Sequence, residues 1–484
     1  MSGLPSCAWI ESKNLRPSRW NAEFYKNEFI ALDKKIEDSS ISTFKLKKLS
    51  KLFTGPFGSK LPASLYNTEG GIPLLRVQNI GDLFLNENEM ALIPKDVHQD
   101  IIRSKLEPGD IALAKAGRLG ALSRIPERVK ECNITQHIVG IKVNKNKIVP
   151  EYLTAYLMSK YGEFQLKRQA VGTIIKYLGI EETREALIAT PAEKVQKYIG
   201  GYISCAEKCR EKADTILLKA TQLINELYGD SIPDKDEAKH NVISADDLTP
   251  ERMDAWFYQL RFMKLKTYLM ANKRFVPLVD IAKICNRRTG RLNQADYDQI
   301  NYVEISSIDT ESSLIKPNRK KIPELPASAK KELHFGDVLA STVRVNRKCV
   351  SVVPFHLDKS IGSTAIAVLK TSSIEEAHFL ELILKHDIST SQIMRWNTGS
   401  VYPTVTEDVF EKILIPMISH DERKKIGKIG RLSADYRYKS VSLILKAKSD
   451  VESLIEGKLD TDAILSGKLK APTWEDIEKE LEGI

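Results

Sequence analysis

The chain lacks most of what a membrane protein, a secreted protein or a metalloenzyme would show. None of its 484 positions falls in a run of 18 apolar residues, so no membrane-spanning helix is expected. The opening, MSGLPSCAWIESKN, has no charged-then-apolar signal pattern, which predicts a cytoplasmic protein. Cysteine is scarce: six residues, scattered at Cys7, Cys132, Cys205, Cys209, Cys285 and Cys349, form no CxxC pair. That spacing argues against a zinc site and for free thiols in a reducing compartment. The eight histidines include no i, i+4 pair and no companion carboxylate pattern.

Catalytic signatures are missing too. Pro-Pro does not occur, so the Asn-Pro-Pro-aromatic segment of adenine methyltransferases is absent. FTGPFG at Phe53 to Gly58 has the glycines of a phosphate loop, but no buried strand before it or helix start after it. Pro233, Asp234, Glu237 and Lys239 mimic a nuclease outline, yet they crowd into a polar linker. What remains is an ordinary globular composition, 42% hydrophobic and 28% charged, with a net charge of +9 that is compatible with a polyanionic partner.

The dominant positive feature is a long internal repeat. LRPSRWNAEFY at Leu15 to Tyr25 returns as LTPERMDAWFY at Leu248 to Tyr258, a shift of 233 positions. Gly109-Asp110 returns as Gly336-Asp337 and Gly172 as Gly399, each after 227; Gly229 returns as Gly457 after 228. The period far exceeds the ~20–50 residues of solenoids, so the unit repeated is a whole domain with its helix.

The repeat predicts an α+β fold of two mixed α/β domains separated by two long helices that pair as an antiparallel coiled coil. Its boundaries read as an N-terminal helical segment (1–40), a first mixed domain (41–189), a long helix (190–229), a linker (230–248), a repeat-opening helix (249–271), a second mixed domain (272–418), a second long helix (419–457) and a tail (458–484). Thr249 with Pro250, and Pro17 in the first copy, read as helix starts. Short β-rich runs, IPLLRVQNI, GDIALAKAG and HIVGIKV, have counterparts in INYVEISSI, GDVLAST and STAIAVL. Each domain closes with a helical segment, EYLTAYLMSKYGEFQLKRQ or EAHFLELILKHDISTSQIMRW.

Both long helices open on a predicted capping box, Thr190 with Glu193 and Ser419 with Glu422. The first carries a seam through Val195, Ile199, Tyr202, Ala206, Cys209, Ala213, Ile216, Ala220, Leu223 and Leu227. The second carries Ile426, Ile429, Tyr436, Leu443, Ala447, Val451 and Leu454, with Ser433 and Ser440 between. Small seam residues, together with Gly200, Gly201 and Gly427, predict close approach of the two helices. Helices of this length span on the order of 55 Å, more than one DNA turn of roughly 34 Å.

Basic and amide side chains cluster at predicted strand ends. Arg76, Gln78 and Asn79 lie in LLRVQNI, while Lys115, Arg118 and Arg124 follow GDIALA. In the second domain Arg287, Arg288 and Arg291 surround Thr289-Gly290, and Arg344, Arg347 and Lys348 follow GDVLAST. Arg, Gln and Asn form paired hydrogen bonds with base edges and Lys favours phosphate, so these residues, with Ser59 and Lys60 of the GPFGSKL turn, are candidate DNA contacts.

The repeated R-x-x-A-x-F-Y opening (Arg19, Arg252), GPFGSKL, GGIPLLRVQNI, LEPGDIALAKAGRLG, the AVGT and NTGS turns and the junctions at Pro191 and Pro416 resemble the DNA-specificity subunit of type I restriction–modification systems. The resemblance implies two target-recognition domains, each reading half of an asymmetric, interrupted site in double-stranded DNA, with the helices fixing the gap. It implies a non-catalytic chain that binds no cofactor. Two modification subunits would supply S-adenosylmethionine chemistry, and a restriction translocase subunit would use ATP and magnesium. The family's Pro-Pro-x-x-E-Q junction is replaced here by TPAEKVQ and IPMISHDERKKIG. Two other readings stay open: a recognition chain serving a separate type II-like methyltransferase or nuclease, and a helical scaffold that joins protein-binding domains.

Overall fold

Each half of the chain builds the same pair of four-stranded sheets, in the same strand order. The computed structural model describes all residues except 1–8, 13–14, 16–19, 59–60, 67–69, 88, 171–175, 230–239, 291–297, 400 and 484. Pro17, Arg19, Gly172 and the Pro233–Lys239 segment therefore lie outside the described residues. The chain divides into two units, Met1–Cys209 with Lys439–Ile484, and Arg210–Tyr438.

In the first unit one sheet runs Ser50–Thr54, Ile138–Val143, Ile111–Ala114, Leu122–Arg124, with every pairing antiparallel. The other runs Ala91–Ile93, Ile72–Leu75, Cys132–Ile134, Lys105–Leu106, its central pair parallel. The second unit repeats both. Lys283–Ile284, Ile366–Lys370, Val338–Ser341 and Val350–Val352 form its antiparallel sheet. Asn318–Lys320, Ile300–Val303, Ser360–Ser363 and Ala329–Leu333 form its mixed sheet, again with a parallel central pair. Ile111–Ala114 and Val338–Ser341 are buried along their whole length, as central strands covered on both faces must be. The repeated Gly-Asp explains how both start. Gly109 and Gly336 take φ of +87° and +84°, and the following Asp110 and Asp337 carboxylates accept the amide three residues back, at 2.9 and 2.7 Å.

The opening motif is a clasp, not a helix start. In the second unit, Thr249 and Pro250 precede a turn in which the Tyr258 hydroxyl accepts the Thr249 amide and donates to the Arg252 carbonyl, both at 2.8 Å. The helix begins only at Leu260 and runs to Ala271; its counterpart is Asn27–Asp38, preceded by a 3-10 turn at Ala22–Tyr25. Lys26 and Gln259 break the chain identically, with φ, ψ near −56°, 141° and −55°, 140°. An arginine from the closing helices locks each motif. Arg168 Nε donates to the Phe24 carbonyl at 2.8 Å while its guanidinium sits 4.1 Å over that ring. Arg395 does the same to Phe257, at 3.2 and 3.9 Å.

Each closing segment is two helices with a sharp bend between: Pro150–Met158 and Lys160–Gln169, then Ile374–Lys385 and Asp387–Arg395. At the first bend a Cβ on Gly162 would lie 2.2 Å from the Tyr156 carbonyl oxygen, so only glycine permits the fold-back.

The two long helices are Glu193–Tyr228 and His420–Ile455, 36 residues each. The boundary between units falls inside both. Within each unit they pair antiparallel through small side chains. In the first unit Ser440 Oγ donates to the Ala206 carbonyl at 2.8 Å. In the second, Ser433 Oγ donates to the Ala213 carbonyl, also at 2.8 Å. Ala206, Cys209, Ala213, Ala220, Tyr436, Ala447 and Val451 are fully buried, as the seam predicts. Its last turn differs: Ile224 and Tyr228 are buried, while Leu223 and Leu227 are only partly so, because the helix there packs into the second domain's core around Phe275 and Phe379.

One expectation about the helix starts holds and one needs correcting. Ser419 and Glu422 form the reciprocal capping box, at 2.9 and 3.2 Å. Thr190 does not cap: its hydroxyl donates to the Ser42 carbonyl at 2.9 Å, completing the strand pair Thr43–Lys45 with Leu187–Ala189. The glycines also serve other neighbours. A Cβ on Gly200 would meet Glu151, and one on Gly427 the Glu375 carbonyl, so both let a closing helix approach. Gly201 faces Ala471 of the tail. That tail folds as the helix Trp474–Glu482 against the first unit's long-helix segments, through buried Ile477, a Lys439–Glu480 pair at 2.5 Å and the Cys205 thiol on the Pro472 carbonyl.

Arg124 anchors the first domain to its long helix, pairing at once with Glu151 and with Glu207. Burial opposes its charge, but Glu207 and Glu151 outweigh that and hold its pKa above the ordinary value. Arg124→Ala leaves two carboxylates without their cation and should lower unfolding stability by about 3–5 kcal/mol. Ala206→Leu should cost about 1–3 kcal/mol by forcing the seam apart. Denaturant midpoints check both; unchanged values would show that neither contact carries the fold.

Candidate nucleic-acid interface

The candidate contacts separate sharply once placed. Asn79 is fully buried: its Oδ1 accepts the Arg76 amide at 3.0 Å and its Nδ2 donates to the Asn86 carbonyl at 2.9 Å. It caps a single 3-10 turn, Val77–Asn79, and has no edge left for a base. Glu304 and Ser307 repeat that turn in the second domain, with Ser307 Oγ accepting the Glu304 amide. Arg76 turns its guanidinium to the Glu89 carbonyl. Gln78 is exposed.

Lys115 is buried beneath the Tyr177 ring, 4.6 Å from its centroid. Arg118 is more than half exposed and held by the Ile80 carbonyl and Asp82 at 3.1 and 3.0 Å, a geometry that leaves part of its fork outward. Arg124 is largely buried and engaged with Glu151 and Glu207, tying the strand to the frame. Ser59 and Lys60 lie outside the described residues.

In the second domain Arg287 pairs with the buried carboxylate of Asp337, the same group that closes the Gly-Asp turn. The pair neutralises that charge while the Arg287 side chain stays partly exposed. Arg288 is exposed beside it, and Arg291 lies outside the described residues. Lys348 pairs with Asp387 at 2.7 Å, while Arg347 is exposed.

Arg344 is fixed through both its backbone and its side chain. It adopts a left-handed φ of +55°, as does Lys348 at +53°, on either side of a 3-10 turn over Val345–Arg347. Such conformations cost a non-glycine residue roughly 1–3 kcal/mol and persist only where neighbours enforce them. Here the Arg344 amide donates to the Pro403 carbonyl at 2.6 Å, and its guanidinium stacks 4.1 Å over Tyr402. Tyr402 and Val401 had no place among the residues read from sequence. The available signal was an aromatic residue inside the polar turn TGSVYPT, where no packing partner is adjacent.

Among the described residues, no group of three or more His, Cys, Asp or Glu side chains could hold a metal ion, and no helix is long and apolar enough to cross a membrane. Of the candidates among the described residues, Gln78 and Arg118 on one domain and Arg288 and Arg347 on the other are exposed, while Arg344 is half-buried.

No family model matches the chain. A curated relative, the type I restriction enzyme EcoBI specificity subunit of Escherichia coli, is 26% identical over 129 residues, which is 27% of this chain and 27% of that protein. The chain thus spans about a quarter of the length of the curated relative it matches. Solved structures that match the chain include the type I restriction–modification S subunit from M. genitalium, with a TM-score of 0.42 at 13% identity over 87% of this chain and 96% of that one. The HsdS subunit from Thermoanaerobacter tengcongensis gives 0.29 at 15% identity over 86% and 97%. The chain resembles the specificity subunits of type I restriction enzymes.

Proposed function

We propose that this protein is a non-catalytic DNA-specificity subunit that acts in the cytoplasm, each domain reading one half of a bipartite, asymmetric site in double-stranded DNA. The observation that carries this reading is the duplication. Two domains share a strand order down to the register of their central strands, yet their strand-end loops present different cations. A shared frame with divergent tips is what recognition of two unlike half-sites requires. Each outward arginine offers a planar fork suited to guanine, and the net charge of +9 favours a polyanion.

In this reading the long helices set the gap between half-sites and carry the docking surface for two modification subunits. Those subunits would bring S-adenosylmethionine, and a restriction translocase joining through them would bring ATP and magnesium. A 36-residue helix is about 54 Å long, enough to exceed one duplex turn.

DNA affinity of the full chain should fall steeply, by orders of magnitude, as salt rises from about 50 to 200 mM. Flat, weak binding across that range would favour a protein-binding scaffold instead. Removing seven residues from each long helix should shorten the preferred gap by about three base pairs, since the deletion takes away about 10 Å. Selection from duplexes of graded gap length checks this; an unchanged preference would overturn the ruler.

A further inference from the structure

Two loops in each domain are zipped together by the same backbone bond, and each zipped pair carries a cation against a tyrosine. In the second domain the Val405 amide donates to the Thr342 carbonyl at 2.9 Å. In the first the Leu178 amide donates to the Lys115 carbonyl, also at 2.9 Å, at positions exactly one repeat earlier. The ornaments differ. Arg344 stacks on Tyr402 in one domain, and Lys115 lies beneath Tyr177 in the other, displaced by two residues along each loop.

In the second pair the tyrosine is exposed, Arg344 is half-buried, and the loop that carries the ring is densely hydrogen-bonded. Tyr402 is 49% exposed and Val401 78% exposed, an unusual amount of apolar surface for a loop so tightly bonded. Asn397 Oδ1 accepts the amides of Gly399 and Thr404 at 2.9 and 2.8 Å, and Val343 bridges Thr404. The Asn397 carbonyl is in turn held by Arg252 of the opening clasp at 2.9 Å. The two left-handed residues, Arg344 and Lys348, add strain that this frame sustains.

Stacking uses the face of a guanidinium and leaves its N–H groups, which all lie in the plane, at the rim. A ring held at 4.1 Å therefore fixes the plane of Arg344 without occupying its donors. Resting on the DNA-specificity reading above, we infer that Tyr402 is a positioning residue that orients Arg344 for a paired contact with one guanine in the second domain's half-site. In the first domain's pair the cation is buried beneath a partly exposed tyrosine and is a lysine, which has no fork. Its half-site is read by other groups, and the two halves differ for that reason.

The test is selection of bound sequences from a randomised double-stranded DNA library by the full-length chain and its variants. Arg344→Lys should relax preference for guanine at one position of one half-site by about tenfold or more, leaving the other half-site and the salt slope unchanged. Tyr402→Ala should relax the same position, and Tyr402→Phe should restore it, because the ring face is what orients the fork. Loss of preference in both halves with Tyr402→Ala would show a merely structural role and overturn the inference. So would unchanged preference with Arg344→Lys, or relaxation at a different position with Tyr402→Ala. If the unaltered chain enriches no sequence at all, the DNA-specificity reading itself fails, a result distinct from each of these.

Discussion

Close approach of two helix backbones is the constraint on which the rest of the molecule hangs. Alanine, cysteine and serine flank the buried Tyr436 in the middle of the seam, and at the serine positions the two backbones come within reach of a hydroxyl. Ser440 and Ser433 then use the short distance, each donating its hydroxyl across to a carbonyl of the facing helix. Those carbonyls already accept helix bonds, so the added donors cost no helix geometry. The two hydroxyls are thereby satisfied within the buried seam, where an unpaired one would cost roughly 1–3 kcal/mol.

Everything else is mounted on that pair by interactions repeated in each unit. Arg168 and Arg395 clasp their phenylalanines, Gly200 and Gly427 admit a closing helix, and a two-stranded ribbon leads into each long helix. The tail is the exception. It covers the first unit's helix segments alone, with Gly201 leaving room for Ala471, so the duplicated frame acquires an asymmetry that the repeat itself does not contain.

Much of this was legible in the sequence, and the reasons are physical. Periodicity revealed the seam because burial on one helix face forces a repeat of three and four residues. Duplication revealed the two domains because constant shifts survive even where composition drifts. Helix starts were less legible. Ser419 caps as its spacing predicts, while Thr190, with the same spacing, spends its hydroxyl on Ser42, a residue 148 positions away. The opening motif misled for a similar reason: Thr249-Pro250 has the local chemistry of a helix start, but Tyr258 gathers the Thr249 amide and the Arg252 carbonyl into a turn. Local signals fail where a distant partner competes for the same group.

The candidate contacts show that limit most clearly. Arg124 and Arg344 both follow a Gly-Asp strand, and nothing in their neighbours along the chain distinguishes them. In the fold, Arg124 pairs with two carboxylates and becomes a strut, whereas Arg344 is half-buried and lies over the Tyr402 ring. Arg287, too, belongs to the frame, because a buried Asp337 demands a counter-charge. An arginine at a strand end thus meets one of two demands, a buried carboxylate within reach or a surface to present. The frame's demands come first, since an unpaired buried charge costs more than a surface arginine contributes. The candidate cations left exposed, Arg118 in the first domain and Arg288 and Arg347 in the second, sit at different places in the repeat.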